Sequence, residues 1–248
     1  MKTTLKTSVL LLAVAAAAVK ASAGDVYNDL FQYSSSGYVF PLLNGQPVGQ
    51  QVYLNNQQLA VYPYLTNFTF AYSSTDTSAY AGNVQLDVQF FKNDGPTTNG
   101  YATPGTVFYQ SGWVPVIPPL VDFGGPTNIA YGHIGSLGTE DDLYNPAIPD
   151  IALAQGVALP SSFTVVFTVT NLVGTDNLSL PLFNPSAAGV VGTNYGSYWQ
   201  DNGGNWSLVT NNATPVSFGI QLETTPEPSV IGMGAVGALL LARLARKR

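Results

Sequence analysis

The chain has 248 residues, no cysteine, and 9% charged against 46% hydrophobic side chains. Its formal charge of −6 hides an asymmetry: between residues 24 and 228, Lys92 is the only basic residue and all fourteen acidic ones are present, a net charge of −13. Such a stretch repels nucleic acid and anionic lipid, so nucleic-acid binding is excluded, while divalent cations and polycations are attracted.

At the N-terminus Lys2 and Lys6 precede an apolar run over residues 9–19, and Ala21-Ser22-Ala23 puts small residues where a signal peptidase reads them. The expectation is an export signal over residues 1–23, delivered to the export translocase and cut by signal peptidase between Ala23 and Gly24. For an exported chain the missing cysteines mean no disulfide staples, so the fold must rest on its core. About 200 residues remain, enough for one substantial core or two small ones.

Strand patterns then recur between turn clusters, and no long stretch carries helical periodicity. Phe68, Phe70 and Tyr72 alternate with Thr69 and Ala71; Val84, Leu86, Val88 and Phe90 alternate with Gln85, Asp87 and Gln89. Asn93-Asp94-Gly95-Pro96 supplies the stop. Residues 106–116 read as one strand broken by Pro115, hence near an edge. Phe163, Val165, Phe167 and Val169 line one face of a further strand, and Leu178, Leu180 and Leu182 follow the turn at Gly174-Thr175-Asp176. Residues 195–200 and 206–210 flank Asp201-Asn202-Gly203-Gly204-Asn205 as a hairpin. Val216, Phe218, Ile220 and Leu222 form the last strand. This spacing predicts an all-β fold, an antiparallel sandwich of jelly-roll type with eight to ten strands over residues 24–223. Residues 118–160 hold six of the seventeen prolines and read as long loops with one short helix near 149–155; a boundary between two β-subdomains is the alternative.

Chemistry is sparse. The one histidine, His133, has no Gly-x-Ser-x-Gly elbow or cysteine to work with and reads as a loop residue. No arginine lies between residues 24 and 228, which removes phosphate clamps and carboxylate forks. A glycosidase needs two facing carboxylates, and nothing sets any pair among Asp122, Glu140, Asp141, Asp142 and Asp150 at the required separation. Glu140, Asp141, Asp142 and Asp150 are candidate oxygen ligands for calcium, with the Asp201–Asn205 turn a weaker one; otherwise they form a solvated acidic loop. No other cofactor is expected. Tyr195, Tyr198, Trp199 and Trp206 cluster about the hairpin: exposed, they make a sugar-stacking platform; alternating into a sandwich, they fill its core, the better fit.

The C-terminus carries the most specific signal. Pro226-Glu227-Pro228 forms an extended, helix-averse tripeptide. Residues 230–242 follow without a charge, about 20 Å as a helix and shorter than the ~30 Å hydrocarbon core of a bilayer. Arg243, Arg246, Lys247 and Arg248 form a basic stop that stays cytoplasmic and leaves the bulk of the chain outside. A buried amphipathic terminal helix fits poorly with four basic residues in the last six positions. A Leu-Pro-x-Thr-Gly sortase signal is absent, and a glycolipid-anchor signal, with its polar spacer, fits worse.

Tripeptide, apolar run and basic end together resemble the PEP-CTERM sorting signal of Gram-negative bacteria over residues 224–248, a tenth of the chain. The resemblance implies recognition of Pro226, Glu227 and Pro228 by an exosortase-like membrane transpeptidase, an inner-membrane intermediate held transiently by the C-terminal helix, and final placement at the cell surface or in extracellular matrix. The expectation is therefore a non-enzymatic exported surface or matrix protein. The alternatives are a module that binds extracellular polysaccharide, with or without calcium, and a carboxylate-based glycoside-active enzyme.

Overall fold

The structure, a computed structural model, describes residues 24–30, 39–59, 63–76, 79–116, 128–135, 157–183, 191–194, 196–210 and 217–225. In chain order these form β1 (Gly24–Asn28), β2 (Val39–Pro41), β3 (Val48–Tyr53), the single helical turn α1 (Asn56–Leu59), β4 (Tyr64–Ser74), β5 (Gln85–Lys92), β6 (Thr97–Thr98), β7 (Tyr101–Ala102), β8 (Val107–Gln110) and β9 (Val114–Pro115). There follow β10 (Asn128–Gly135), β11 (Val157–Ala158), β12 (Ser162–Thr170), β13 (Ser179–Phe183), β14 (Thr193–Asn194), β15 (Ser197–Asp201), β16 (Trp206–Thr210), β17 (Ser217–Phe218) and β18 (Ile220–Thr225). Among the described residues the fold is all-β apart from α1, which Asn55 starts by accepting the Gln57 N–H on its side chain and the Leu59 N–H on its carbonyl.

Two large sheets result. The first runs β1-β18-β4-β13-β17, with β10 and β11 also on β4 and β2 on β13. The second runs β16-β15-β3-β12-β5-β8, with β14 on β3 and β9 on β5; β6 and β7 pair separately. All these ladders are antiparallel. The period-2 pattern explains the packing, because alternate side chains of a strand reach the same face. Phe68 and Phe70 of β4, Phe90 of β5, Phe163, Val165, Phe167 and Val169 of β12, and Phe218 of β17 are all buried. Their rings meet between the sheets: Phe68 lies 5.1 Å from Phe90, Phe70 5.4 Å from Phe167, and Phe167 6.3 Å from Phe218. The two sheets thus share one hydrophobic core.

Several expectations are corrected. Strand segments number eighteen among the described residues, not eight to ten: two expected strands each split in two, and β1, β2, β3, β6, β7, β10, β11 and β14 are additional. The strand expected over 106–116 splits into β8 and β9 around Gly112, whose φ of 72° interrupts the pleat. The last strand divides at Gly219, where a Cβ would lie 2.3 Å from the Phe183 ring. Residues 128–135, expected as loop, form β10, paired with β4 along its whole length; His133 stands opposite Thr69 on it. Two glycines in Ala130-Tyr131-Gly132-His133-Ile134-Gly135 hid that strand, since glycine blurs the apolar alternation. The helix expected near 149–155 lies outside the described residues. Asp87, which alternates with the apolar residues of β5, is 4% exposed, its carboxylate accepting from Gln110 Nε2 at 2.8 Å and from the Ser111 hydroxyl at 3.3 Å.

Candidate functional site

Of the aromatics weighed as a sugar platform or as core, Tyr195 lies outside the described residues and the other three do not share one face. Neighbouring residues of a strand face opposite ways, so Tyr198 and Trp199 of β15 part company. Tyr198 turns inward to Phe40 at 4.7 Å and Phe218 at 6.2 Å, and this burial raises its pKa. Trp199 faces outward, level with Gly49 of β3, yet is 1% exposed and its indole N–H has no partner. Gly49 makes the room: a Cβ there would come within 2.8 Å of Thr164 Cγ2 and 2.9 Å of Val166 Cγ2. Trp206 of β16 is half-buried, its ring 5.7 Å from Phe91 of β5 at 73°. Four strand steps of about 4.8 Å separate β16 from β5 in the sheet order, so that contact requires the β15–β16 hairpin to arch over the outer face. Trp199 is thus buried, while Tyr198 and Trp206 each keep part of their surface exposed.

A second cluster was not expected from the sequence. Asp29, just after β1, is fully buried between the sheets with no cation beside it. Its Oδ2 accepts from the Tyr27 hydroxyl at 2.8 Å and from the Ser217 hydroxyl, and its Oδ1 from the Ile220 N–H at 2.6 Å. The two hydroxyls are aimed from behind by two amides. Gln50 Nε2 donates to Tyr27 at 3.0 Å and to Ser217 at 3.2 Å; Asn194 Nδ2 donates to the same oxygens at 2.9 and 2.8 Å. Gln50 Oε1 in turn accepts the Phe218 N–H, and Asn194 Oδ1 the Gly196 N–H at 2.9 Å.

A hydroxyl has one hydrogen and two lone pairs. With both lone pairs taken by amide N–H groups, each hydrogen can only point at Asp29. The network therefore ties β1, β17 and β18 of one sheet to β3 and β14 of the other around an acceptor. Burial raises the Asp29 carboxyl to about 6 against the pull of its donors, and raises the Tyr27 phenol well above its ordinary value, with the Asp29 charge adding to the rise. The one sequence hint is Gln50, an amide in the inward register between Val48 and Val52.

Three other described carboxylates, Asp94, Asp176 and Asp201, serve loops. Asp176 accepts the N–H groups of Ala81, Gly82 and Val173, and Asp94 that of Thr106 at 2.7 Å. Asp201 accepts the Gly204 N–H at 2.7 Å, which makes its turn a self-capped hairpin. Among the described residues no three acidic or histidine side chains converge as metal ligands. Glu140, Asp141, Asp142 and Asp150 lie outside the described residues, as do Ala21, Ala23, Pro226, Glu227, Pro228 and the basic stop. No helix among the described residues is long and apolar enough to cross a membrane.

The two ends of the described chain meet. Gly24 pairs with Thr224, and β18 continues to Thr225, two residues past the expected boundary of the domain. Compared with known families, curated proteins and solved structures, the chain matches none.

Proposed function

We propose that this is an exported, non-enzymatic surface or matrix protein: a β-sandwich of jelly-roll type delivered and trimmed through its PEP-CTERM-like tail. One observation carries the reading. Gly24, the residue after the Ala-x-Ala site, pairs with Thr224, two residues before Pro226, on the β1–β18 ladder. Trimming on either side would leave this ladder whole, which supports the reading. The reading of a sandwich draws support from the single core shared by the two sheets, and the non-enzymatic reading from the absence of arginine and cysteine between residues 24 and 228.

An intact mass of the protein from producing cells and their surroundings tests the proposal. A species running from Gly24 to near Pro228 is expected; a product that retains Arg248 overturns the sorting reading. Replacing Pro226, Glu227 and Pro228 together by alanine leaves a membrane-retained precursor.

A glycan-binding reading is favoured by one feature only, Trp206 edge-on to Phe91 at the arched hairpin. Loss of polysaccharide retention on Trp206→Ala, with the fold intact, would support it.

A further inference from the structure

We propose that the Asp29 cluster is a proton-responsive clasp, which holds the strands at the two chain ends against the second sheet in one hydrogen-bond pattern when ionised and in another when protonated. The geometry sets the two states. In the ionised state every polar atom has a fitting partner: three donors for the carboxylate, two acceptor sites and one donor used on each hydroxyl, and both amide oxygens occupied. A proton on Oδ2 breaks that closure. The carboxyl then needs an acceptor, but the oxygens of Tyr27 and Ser217 already take two N–H groups each. One amide, Gln50 or Asn194, must give up a bond, and both span from the second sheet to the strands of the first.

The opposing term is the cost of burying a charge. Neither β1, β3, β14, β17 nor β18 places a cation against Asp29; its titratable neighbour is Tyr27, which stays neutral. Lys92, the only basic residue between 24 and 228, lies on β5. Desolvation therefore holds the carboxyl near 6 against the hydrogen-bonding pull of Ser217, the Ile220 N–H, Tyr27 and Gln50, so the clasp changes state in mildly acidic surroundings. That this range is met by the folded protein rests on the reading of external display; the clasp itself does not.

The test is infrared spectroscopy of the folded, purified protein across pH 4 to 8. A protonated buried carboxyl band is expected to appear as pH falls through about 6 and to be missing in Asp29→Asn. Ser217→Ala removes one donor to the anion and should move the midpoint upward. In parallel, the folded-to-unfolded ratio of the wild type, taken relative to Asp29→Asn, should fall on the order of a hundredfold between pH 4 and pH 7.5. A band that titrates with the ordinary carboxylates, or a midpoint unmoved by Ser217→Ala, overturns the clasp. Should Asp29→Asn fail to fold, the wild type and Ser217→Ala carry the test. None of these readouts depends on sorting, so failure of the clasp and failure of the sorting reading are separate results.

Discussion

The Tyr27 phenol donates to the Asp29 carboxylate at 2.8 Å, two residues along the same chain end, while the remaining donors to that carboxylate, Ser217 and Ile220, come from the other end. The burial of one acid thus depends on strands 188 and 191 positions away. Removing the phenol oxygen takes one donor from Asp29 and strands one N–H each of Gln50 and Asn194. Tyr27→Phe is expected to cost about 1–3 kcal/mol. Denaturant unfolding measures it, and a loss within error of zero would mean that water completes the network.

The pH profile of stability follows from two kinds of carboxylate. The folded pKa of Asp29 is raised to about 6, so its contribution is fully present below the ordinary value and is lost as pH rises through 6, a swing of about 3 kcal/mol. Asp94 and Asp176 behave oppositely. For Asp94 the Thr106 N–H lowers the pKa; for Asp176 burial pushes upward but the N–H groups of Ala81, Gly82 and Val173 outweigh it. Their contributions are present above the ordinary carboxyl value and lost as pH falls through the lowered ones. Stability should peak at roughly pH 4–5, acid of neutrality, and melting temperatures across pH 3–8 check this.

Gly49 is expected to resist enlargement for a reason of space. Its backbone needs no unusual angle, but a methyl group would press on Thr164, Val166 and the Val165 carbonyl while Trp199 lies alongside. Gly49→Ala should destabilise by about 1–3 kcal/mol, as overpacking does, and should weaken the arch of the β15–β16 hairpin. Fluorescence of Trp199 reports the second effect if Trp113 and Trp206 are first replaced by phenylalanine.

The hairpin tryptophans should differ sharply. Trp199→Ala empties a buried site and is expected to cost about 3–5 kcal/mol. Trp206→Ala loses a half-buried edge contact and should cost about 1 kcal/mol. Thermal unfolding of the two variants compares them; equal losses would contradict the arched placement.

Local signals carried much of the β architecture. Alternation at Phe68–Tyr72, Val84–Phe90 and Phe163–Val169 identified strands whose apolar sides are buried, because a period of two leaves each side chain only two faces to choose from. The glycine-rich turn at 202–205 likewise identified the hairpin. Sequence by itself also determined the charge of −13 over residues 24–228. Tertiary structure alone decided which face counts as outside. Trp199 obeys the alternation and points away from the core, yet it is buried all the same, and no local pattern encodes that. It alone, too, decided the fate of Asp29, whose partners at 27, 50, 194, 217 and 220 are gathered by the meeting of both chain ends with the second sheet. An acid among apolar residues reads as a surface group until long-range pairing supplies its donors, and long-range pairing is what a one-dimensional pattern lacks.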